Sequence, residues 1–590
     1  MSRRSRKVVV RQSTGQRLIE QSRVRLLCIG LFFMLCFGSI AVRMIDVAVI
    51  QNAQARIITV SDADNNEEKV EVTKAAPIFE RGDIVDRNGE LLATSVKTAS
   101  IFANPKEIRD PEKAAQKLAK ILGIDAKKLA ARMSSDKSFV WLKRNLTPVE
   151  QQKANSLGVP GLYFLPEERR IYPYGNLFAH MVGYVGVDNK GLAGTEKYFD
   201  RRLRDSAKNK EQLALSLDVR LQAIMREEMH NAMRKFKAIG ATGVIMDLES
   251  DELLSVVSLP DFDPHNPGAA KKAARFNRAT LGVYEMGSTF KSFTMAMGLE
   301  HDVVSMKGGY DATNPFKVSS FTIKDSHPKK RWLNVPEIFA YSSNIGTAKM
   351  ALDVGIKRQK EFMKKLGMLE GLSLEVPEKS RTLYPDDWKE INAVTISYGH
   401  GISVTPLHLV RGIAAMVNGG ELPKLTLVKD KNKGKKRDTR VISEATSKNM
   451  RRLMRLVVDY GTGGKAHVPG YRVGGKTGTA EKVSKTGRYN QDAKLASFVG
   501  AFPVDDPKYV ILVMIDEPKG IKSTYGFATG GWISAPVVGN IISRMGPLYA
   551  MKPRFDVPED DAQKYWVHRG NSKPRRKSAP AKKFIHAATY

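Results

Sequence analysis

The sequence of 590 residues contains only two cysteines, Cys28 and Cys36, and both lie in one apolar stretch near the N-terminus. Everything after residue 36 therefore lacks a thiol, which excludes disulfides and cysteine-ligated metal sites there. Such a chain suits an oxidising compartment, where stray thiols are a hazard. The ten histidines are too scattered to show the spacing of zinc ligands, so we expect no metal and no other cofactor.

Long apolar runs are also scarce, and the one that stands out covers residues 26–42, 17 positions without a charged side chain. This length is at the lower limit for crossing a bilayer core, so we predict a single transmembrane helix over residues 26–45. Eight Lys and Arg side chains precede it, against one Glu. By the positive-inside rule, residues 1–25 form a cytoplasmic basic arm and the rest of the chain is exported. A cleaved signal peptide is the alternative, but no small-x-small cleavage site follows the run.

Acidic residues are outnumbered, because 62 Asp and Glu face 95 Lys and Arg, and the net charge is +33. A basic chain raises the question of nucleic acid. Part of the excess lies at the ends, since residues 551–590 carry ten Lys and Arg against four acids, and no recognised nucleic-acid module is present. We therefore expect no nucleic acid as a partner, and we expect residues 551–590 to form a basic, disordered tail.

What the chain does contain is a Ser and a Lys three residues apart, Ser288 and Lys291, at the predicted start of a helix. This spacing puts both side chains on the same helix face. A serine hydroxyl is a weak nucleophile, and a lysine accepts its proton only if burial or nearby cations lower the pKa of the lysine. A helix cap followed by a solvated lysine is the structural alternative. The same spacing recurs at Ser134 with Lys137 and at Ser326 with Lys329.

Two further motifs follow, an S-x-N at Ser342 and Asn344, and a K-T-G that starts at Lys476. The set S-x-x-K, S-x-N and K-T-G marks active-site serine beta-lactamases and penicillin-binding proteins. Each motif has a duplicate, since residues 447–449 repeat S-x-N and residues 485–487 repeat K-T-G. The second K-T-G lies in a polar stretch typical of a hairpin loop, whereas the first follows two glycines and can continue as a strand.

With these motifs in place, the chain resembles the class B penicillin-binding proteins, and among them the division-specific D,D-transpeptidases of Gram-negative bacteria. The resemblance also rests on residues 81–93, 170–174, 191–196, 276–279 and 399–406. An elongation-specific class B transpeptidase is the nearest alternative. A beta-lactam sensor would need several membrane helices and a cytoplasmic effector, and a non-catalytic divisome scaffold would not need the complete motif set.

The resemblance implies an α+β fold with a single N-terminal transmembrane helix. An elongated, non-catalytic pedestal domain would cover residues 46–210. A penicillin-binding transpeptidase domain would cover residues 211–550, with an antiparallel sheet flanked by helices and an all-helical subregion. The residue pattern predicts an amphipathic helix over residues 219–237 and strands over residues 242–248, 252–259, 497–504 and 509–515.

The resemblance also implies roles for eight residues. Ser288 would be the nucleophile and Lys291 its base, Ser342 would relay a proton to the leaving D-Ala, Asn344 would hold the substrate amide, and Lys476 would attract the terminal carboxylate. Thr477, Gly478 and Thr479 would bind the substrate along the strand. The implied partners are peptidoglycan stem peptides on lipid-linked or nascent glycan strands, beta-lactams, the membrane, an FtsW-type glycosyltransferase and other divisome proteins.

Overall fold

The computed structural model describes residues 33–35, 37–40, 81–209, 211–431, 436–483 and 489–555. The chain divides into two compact units, Met1–Pro77 and Ile78–Tyr590. In the first unit, residues 33–35 and 37–40 are helical. Across the described residues, no helix is both long enough and apolar enough to span a bilayer. The rest of the transmembrane helix predicted over residues 26–45 lies outside the described residues, as do the basic arm and residues 556–590 of the tail.

The N-terminal part of the second unit is a mainly antiparallel sheet with helices on one face. Its strands are β1 (Ile84–Val85), β2 (Leu91–Ala103), β3 (Val140–Leu146), β4 (Leu162–Ile171) and β5 (Leu213–Ala214). Strand β2 is the centre of the sheet, because it pairs antiparallel with β1, β3 and β4. Strand β5 pairs parallel with β1. Apolar side chains of the first three helices pack onto the sheet. The helices are α1 (Pro111–Leu122), α2 (Ala126–Met133), α3 (Pro148–Asn155), α4 (Gly194–Tyr198) and α5 (Asp200–Asn209).

The turn between β1 and β2 contains the pair Asn88 and Gly89, and of these two residues only the glycine has a positive φ. Gly89 has a φ of 92°, which the absence of a side chain permits. The Asp86 carboxylate accepts hydrogen bonds from the backbone N–H of Asn88 at 2.7 Å and of Glu90 at 2.9 Å. Asp86 therefore has a structural role in this turn.

A buried ionic cluster ties the start of this part to its later segments. Glu196 on α4 is fully buried and accepts hydrogen bonds from Arg81 Nε at 2.5 Å and from Arg170 Nε at 2.7 Å. Arg81 also contacts Asp200 at 2.7 Å. A carboxylate removed from water requires such partners, so the cluster fixes how β4, α4 and residues 81–82 lie together.

The C-terminal part of the unit opens with the predicted amphipathic helix and hairpin. These are α6 (Val219–Phe236), β6 (Gly240–Asp247) and β7 (Leu253–Leu259). Leu221, Met225 and Met229 of α6 are completely buried against the sheet. The methionines of this helix are therefore core residues.

A mainly helical region is inserted between β7 and the last strands. The prediction of an all-helical subregion is wrong, because four short strands lie within it. Its helices are α7 (Lys272–Arg275), α8 (Lys291–Glu300), α9 (Val335–Tyr341), α10 (Asn344–Val354), α11 (Ile356–Lys365), α12 (Glu390–Ser397), α13 (Pro406–Val417) and α14 (Glu444–Asp459). Two short two-stranded sheets lie within it, formed by the strands β8 (Gly309–Asp311), β9 (Phe316–Val318), β10 (Phe321–Ile323) and β11 (Trp332–Asn334). Strand β8 pairs with β11, and β9 pairs with β10.

Three long strands and a last helix complete this part, namely β12 (Gly474–Val483), β13 (Tyr489–Phe502), β14 (Tyr509–Asp516) and α15 (Ser534–Leu548). The antiparallel sheet has the order β12-β13-β14-β6-β7, so strands from both ends of this part are joined, as predicted. Helices α6 and α15 cover one face and the helical region covers the other. Strand β12 therefore lies at an edge of the sheet, where it packs against the turn before α8.

Candidate active site

The Ser288 turn, residues 287–290, is a single 3-10 turn that continues into α8, so that Lys291 is the first residue of this helix. Gly287 has a φ of 55°, and a Cβ atom there would lie only 2.9 Å from Thr479 O. The Gly287 N–H donates to Gly399 O at 3.1 Å. Only glycine fits between these two backbone segments. The close approach puts Ser288 beside the K-T-G strand.

Lys291 is completely buried, and its Nζ atom contacts the S-x-N motif at three points. The distances are 2.5 Å to Ser342 O, 3.1 Å to Ser342 Oγ and 2.6 Å to Asn344 Oδ1. Burial lowers the pKa of the Lys291 ammonium to about 7, although the carboxylate of Asp325 raises it. A large fraction of Lys291 is therefore neutral near pH 7, and a neutral amine can accept a proton.

The S-x-N motif forms the joint between two helices. Ser342 ends α9 in the left-handed conformation with a φ of 61°, and Asn344 begins α10. A non-glycine residue rarely adopts this conformation. The Ser342 hydroxyl lies 3.1 Å from Lys291 Nζ and 3.0 Å from Lys476 Nζ. Because a hydroxyl can accept from one amine while it donates to the other, Ser342 is placed to pass a proton between them.

Lys476 is the second completely buried amine, and it projects from β12. Its Nζ atom also donates to Thr477 O at 3.1 Å and lies 5.7 Å from the centre of the Phe339 ring. Burial, and after it the positive charge of Lys291, hold the pKa of Lys476 well below its ordinary value. An arriving carboxylate would reverse this shift, because an opposite charge favours the protonated amine.

Gly478 is required by packing within the chain. A Cβ atom at this position would lie 2.3 Å from Ser497 Oγ on β13 and 2.9 Å from Met286 O, next to the Ser288 turn. The family resemblance places this glycine among the residues that bind the substrate along the strand. In the structure, the close approach of two neighbouring segments already excludes a side chain here.

The two threonines of the K-T-G strand are held by hydrogen bonds to other loops. The hydroxyl groups of Thr477 and Thr462 lie 2.6 Å apart. The hydroxyl of Thr479 accepts a hydrogen bond from the Gly530 N–H at 3.1 Å. Both side chains thus join β12 to the segments that border it, and both hydroxyls lie on the strand beside the Ser288 turn.

Known protein families account for most of the chain. A model of the penicillin-binding protein transpeptidase domain matches residues 241–543, and a model of the penicillin-binding protein dimerisation domain matches residues 78–228. The chain belongs to the penicillin-binding protein transpeptidase family. Its two structural parts correspond to these two models.

Full-length relatives of this penicillin-binding protein are similar over most of the chain. The probable peptidoglycan D,D-transpeptidase FtsI of Caulobacter vibrioides is 40% identical over 488 residues, which are 81% of this chain and 82% of the relative. The peptidoglycan D,D-transpeptidase FtsI of Escherichia coli is 32% identical over 523 residues, 83% of this chain and 87% of the relative.

Solved structures share the fold. A peptidoglycan synthetase from Bifidobacterium adolescentis superposes with a TM-score of 0.64 at 23% identity, over 82% of this chain and 97% of that chain. Penicillin-binding protein 3 from Mycobacterium tuberculosis, solved with aztreonam, superposes with a TM-score of 0.63 at 23% identity, over 80% and 97%. The mixed α+β architecture with two domains is therefore that of class B penicillin-binding proteins.

The structure of this penicillin-binding protein brings the three predicted motifs into one cleft. Lys291, Ser342, Asn344 and Lys476 are linked by direct hydrogen bonds, and Ser288 lies on the adjoining turn. Among the described residues, no hydrogen bond joins Ser288 Oγ to Lys291 Nζ. Two of the duplicate motifs lie elsewhere, since residues 134–137 follow α2 and residues 447–449 lie within α14. The duplicate at residues 326–329 directly follows Asp325, which contacts the S-x-N turn, and residues 485–487 lie outside the described residues.

Two acidic residues near the cleft were not predicted from the sequence. Asp325 accepts hydrogen bonds from the S-x-N turn. Glu285, three residues before Ser288, lies 3.1 Å from His400 Nδ1 and accepts a hydrogen bond from the Gly401 N–H at 2.8 Å. Neither acid belongs to a recognisable motif, so spacing alone gave no signal for them.

Proposed function

We propose that this chain is a peptidoglycan D,D-transpeptidase that cross-links stem peptides at the division septum through a serine acyl-enzyme, and that beta-lactams acylate the same serine. The observation that carries the proposal is the position of the Ser342 hydroxyl, which lies within 3.1 Å of the Nζ atoms of both buried lysines, Lys291 and Lys476. Ser288 lies on the adjoining turn, at the start of a helix. The names of the FtsI relatives, which are peptidoglycan D,D-transpeptidases, support it.

In the first step, Ser288 Oγ attacks the carbonyl carbon of the penultimate D-Ala and Lys291 Nζ takes the hydroxyl proton. The backbone N–H groups of Ser288 and Thr479 stabilise the oxyanion. Removing one such donor typically lowers a rate by about 100 to 1000-fold. The C–N bond then breaks, and Ser342 passes a proton to the leaving D-Ala amine.

In the second step, an amine of another stem peptide attacks the ester carbonyl and Ser288 leaves with a proton, which completes the cross-link.

Lys476 attracts the terminal carboxylate of the donor peptide, with Thr477 and Thr479 as further donors. Asn344 holds the substrate amide. Its Oδ1 atom is bonded to Lys291 and its Nδ2 atom donates to Lys324 O at 2.9 Å, so one N–H bond of the amide group is left for a substrate.

The setting of the reaction is inferred from the same family. Residues 1–25 are the cytoplasmic arm, residues 26–45 anchor the chain in the inner membrane, residues 46–210 form the pedestal, residues 211–550 catalyse the reaction in the periplasm, and residues 551–590 form a basic tail. An FtsW-type glycosyltransferase and other divisome proteins would dock on the anchored pedestal. A functional fluorescent fusion tests the septal role: midcell fluorescence is expected, and sidewall fluorescence would favour the elongation-specific alternative.

Covalent labelling with a fluorescent penicillin tests the chemistry. The full-length protein should give one labelled band, and Ser288→Ala should abolish it. The matched control is Ser134→Ala, which changes the duplicate S-x-x-K motif and should leave labelling intact. Lys291→Met should also abolish labelling, because the amine three residues after Ser288, which takes the serine proton in this mechanism, is then absent. Persistent labelling of the Ser288→Ala protein would reject Ser288 as the nucleophile.

A further inference from the structure

A short segment that follows the β9–β10 hairpin clamps the S-x-N turn. The Asp325 carboxylate accepts hydrogen bonds from Ser343 Oγ at 2.8 Å, from the Asn344 N–H at 2.6 Å and from the Ile345 N–H at 3.0 Å. These N–H groups belong to the first turn of α10, where a helix leaves its amides without partners in the helix. One carboxylate therefore fixes three consecutive residues of the turn.

The clamp also determines which way the Asn344 amide points. Its Nδ2 atom donates to Lys324 O, the carbonyl that precedes Asp325, at 2.9 Å. Its Oδ1 atom is thereby turned towards Lys291 Nζ, which lies 2.6 Å away. The backbone and the side chain of Asn344 are thus both held by the segment of residues 324–325. A movement of this segment would move the oxygen that orients the Lys291 amine.

Asp325 also supplies charge to a cleft that is otherwise positive. The charged groups around Lys291 are Lys476 from β12 and Asp325 from the segment after β10. Burial lowers the pKa of Lys291, and Asp325 acts in the opposite direction. The acid therefore limits how far burial drives Lys291 towards the neutral form.

We propose that Asp325 is a positioning residue for acyl transfer, which holds Asn344 against Lys291 and whose negative charge sets the pH range in which Lys291 accepts the serine proton. This inference rests on the proposed function. Asp325 itself touches neither the substrate nor Ser288 in this role. Asp325 acts through the S-x-N turn, and the β9–β10 hairpin that precedes it in the chain positions it there.

Two substitutions separate the geometric part of the role from the electrostatic part. Asp325→Asn is isosteric and removes the charge. Its amide oxygen can still accept from the two backbone N–H groups, and Ser343 Oγ can become the acceptor of the new NH₂ group. Asp325→Ala removes the hydrogen bonds together with the charge. Asp302→Asn is the matched control, because Asp302 is exposed and has a φ of 52°, a conformation that asparagine tolerates.

The measurement is the acylation rate of the full-length, detergent-solubilised protein by a fluorescent penicillin, followed by stopped flow between pH 5 and pH 9. For Asp325→Asn, the acidic limb of the profile should move to lower pH by about half a unit to one unit, since removal of a nearby opposite charge disfavours the protonated amine. At a fixed pH on that limb, the rate should rise about 3- to 10-fold, while the plateau changes by less than about 2-fold. Asp302→Asn should follow the unmodified protein.

Asp325→Ala should instead lose about 10-fold or more of the plateau rate, because the turn that orients the amine is released. A circular dichroism melt of each variant shows whether the fold is retained. If the Asp325→Asn profile superimposes on that of the unmodified protein, the charge role is rejected. If the folded Asp325→Ala protein keeps the full plateau rate, the clamp role is rejected. Failure of the unmodified protein to acylate would reject the proposed function instead.

Discussion

The pH dependence of acylation follows from the burial of Lys291. The amine is fully removed from water, which lowers its pKa from 10.5 to about 7. In the proposed mechanism, only the neutral amine can take the Ser288 proton. The acylation rate should therefore rise tenfold per pH unit below about pH 6 and level off above about pH 8.

The size of the effect can be worked out from this pKa. With a pKa of about 7, about one tenth of Lys291 is neutral at pH 6 and about nine tenths at pH 8, so the rate should increase roughly 10-fold between these values. A lysine with an ordinary pKa of 10.5 would give about a 100-fold increase over the same interval and no plateau below pH 10. The lowered and the ordinary pKa are therefore distinguished by the ratio of the acylation rates at pH 8 and pH 6, and by whether the pH profile reaches a plateau.

The assay is stopped-flow acylation of the full-length protein by a fluorescent penicillin at constant ionic strength from pH 5 to pH 9. Spontaneous hydrolysis of the probe is measured at each pH and subtracted. A thermal melt at each pH confirms that the protein is folded. An acylation rate that still rises tenfold per pH unit between pH 8 and pH 9 would refute the assignment of an amine with a lowered pKa as the base. A flat profile between pH 5 and pH 7 would refute it as well.

Three further outcomes are expected. The folded protein binds fewer protons at Lys291 than the unfolded chain does between pH 7 and 10.5, so the free energy of unfolding should rise with pH in this window. The rise is at most about 1.4 kcal/mol per unit for one lysine, measured by urea unfolding at several pH values, and a falling curve would contradict it. Gly478→Ala should slow acylation at least about 10-fold, because the added Cβ displaces the Ser288 turn. Gly268→Ala is the control, since Gly268 has open space around it and the acylation rate should not change. Equal acylation rates for the two variants would refute the packing argument. Glu196→Gln should destabilise the fold by about 3–5 kcal/mol in urea unfolding, since the buried Arg170 loses its carboxylate partner and Arg81 keeps only Asp200. A loss below about 1 kcal/mol would contradict this account of the cluster.

Local patterns in the sequence predicted most of the framework. The amphipathic helix α6 and the four apolar runs that form β6, β7, β13 and β14 could be found because each signal is contained in a short window. The three motifs could be found because their residue types and order are rare in combination.

Features that depend on distant segments could not be predicted in this way. Asp325 lies 17 positions before Ser342. It contacts the start of α10 because the β9–β10 hairpin that precedes it places it there. The packing requirement at Gly478 could not be predicted either, because the close approach between β12 and the residues before Ser288 is a tertiary contact. A strand of two residues such as β5 leaves too little periodicity to detect.

Strand β5 has a practical consequence for swapping pedestals between relatives. Leu213 and Leu215 donate backbone hydrogen bonds to Asp83 O at 2.9 Å and Val85 O at 2.8 Å, and the Asp86 side chain accepts from the Val219 N–H at 3.2 Å. A chimera joined at residue 211 would leave β1 of one parent beside a strand from the other. A junction after the first turn of α6 would keep these bonds within one parental sequence, so the two parts are best exchanged with that overlap included.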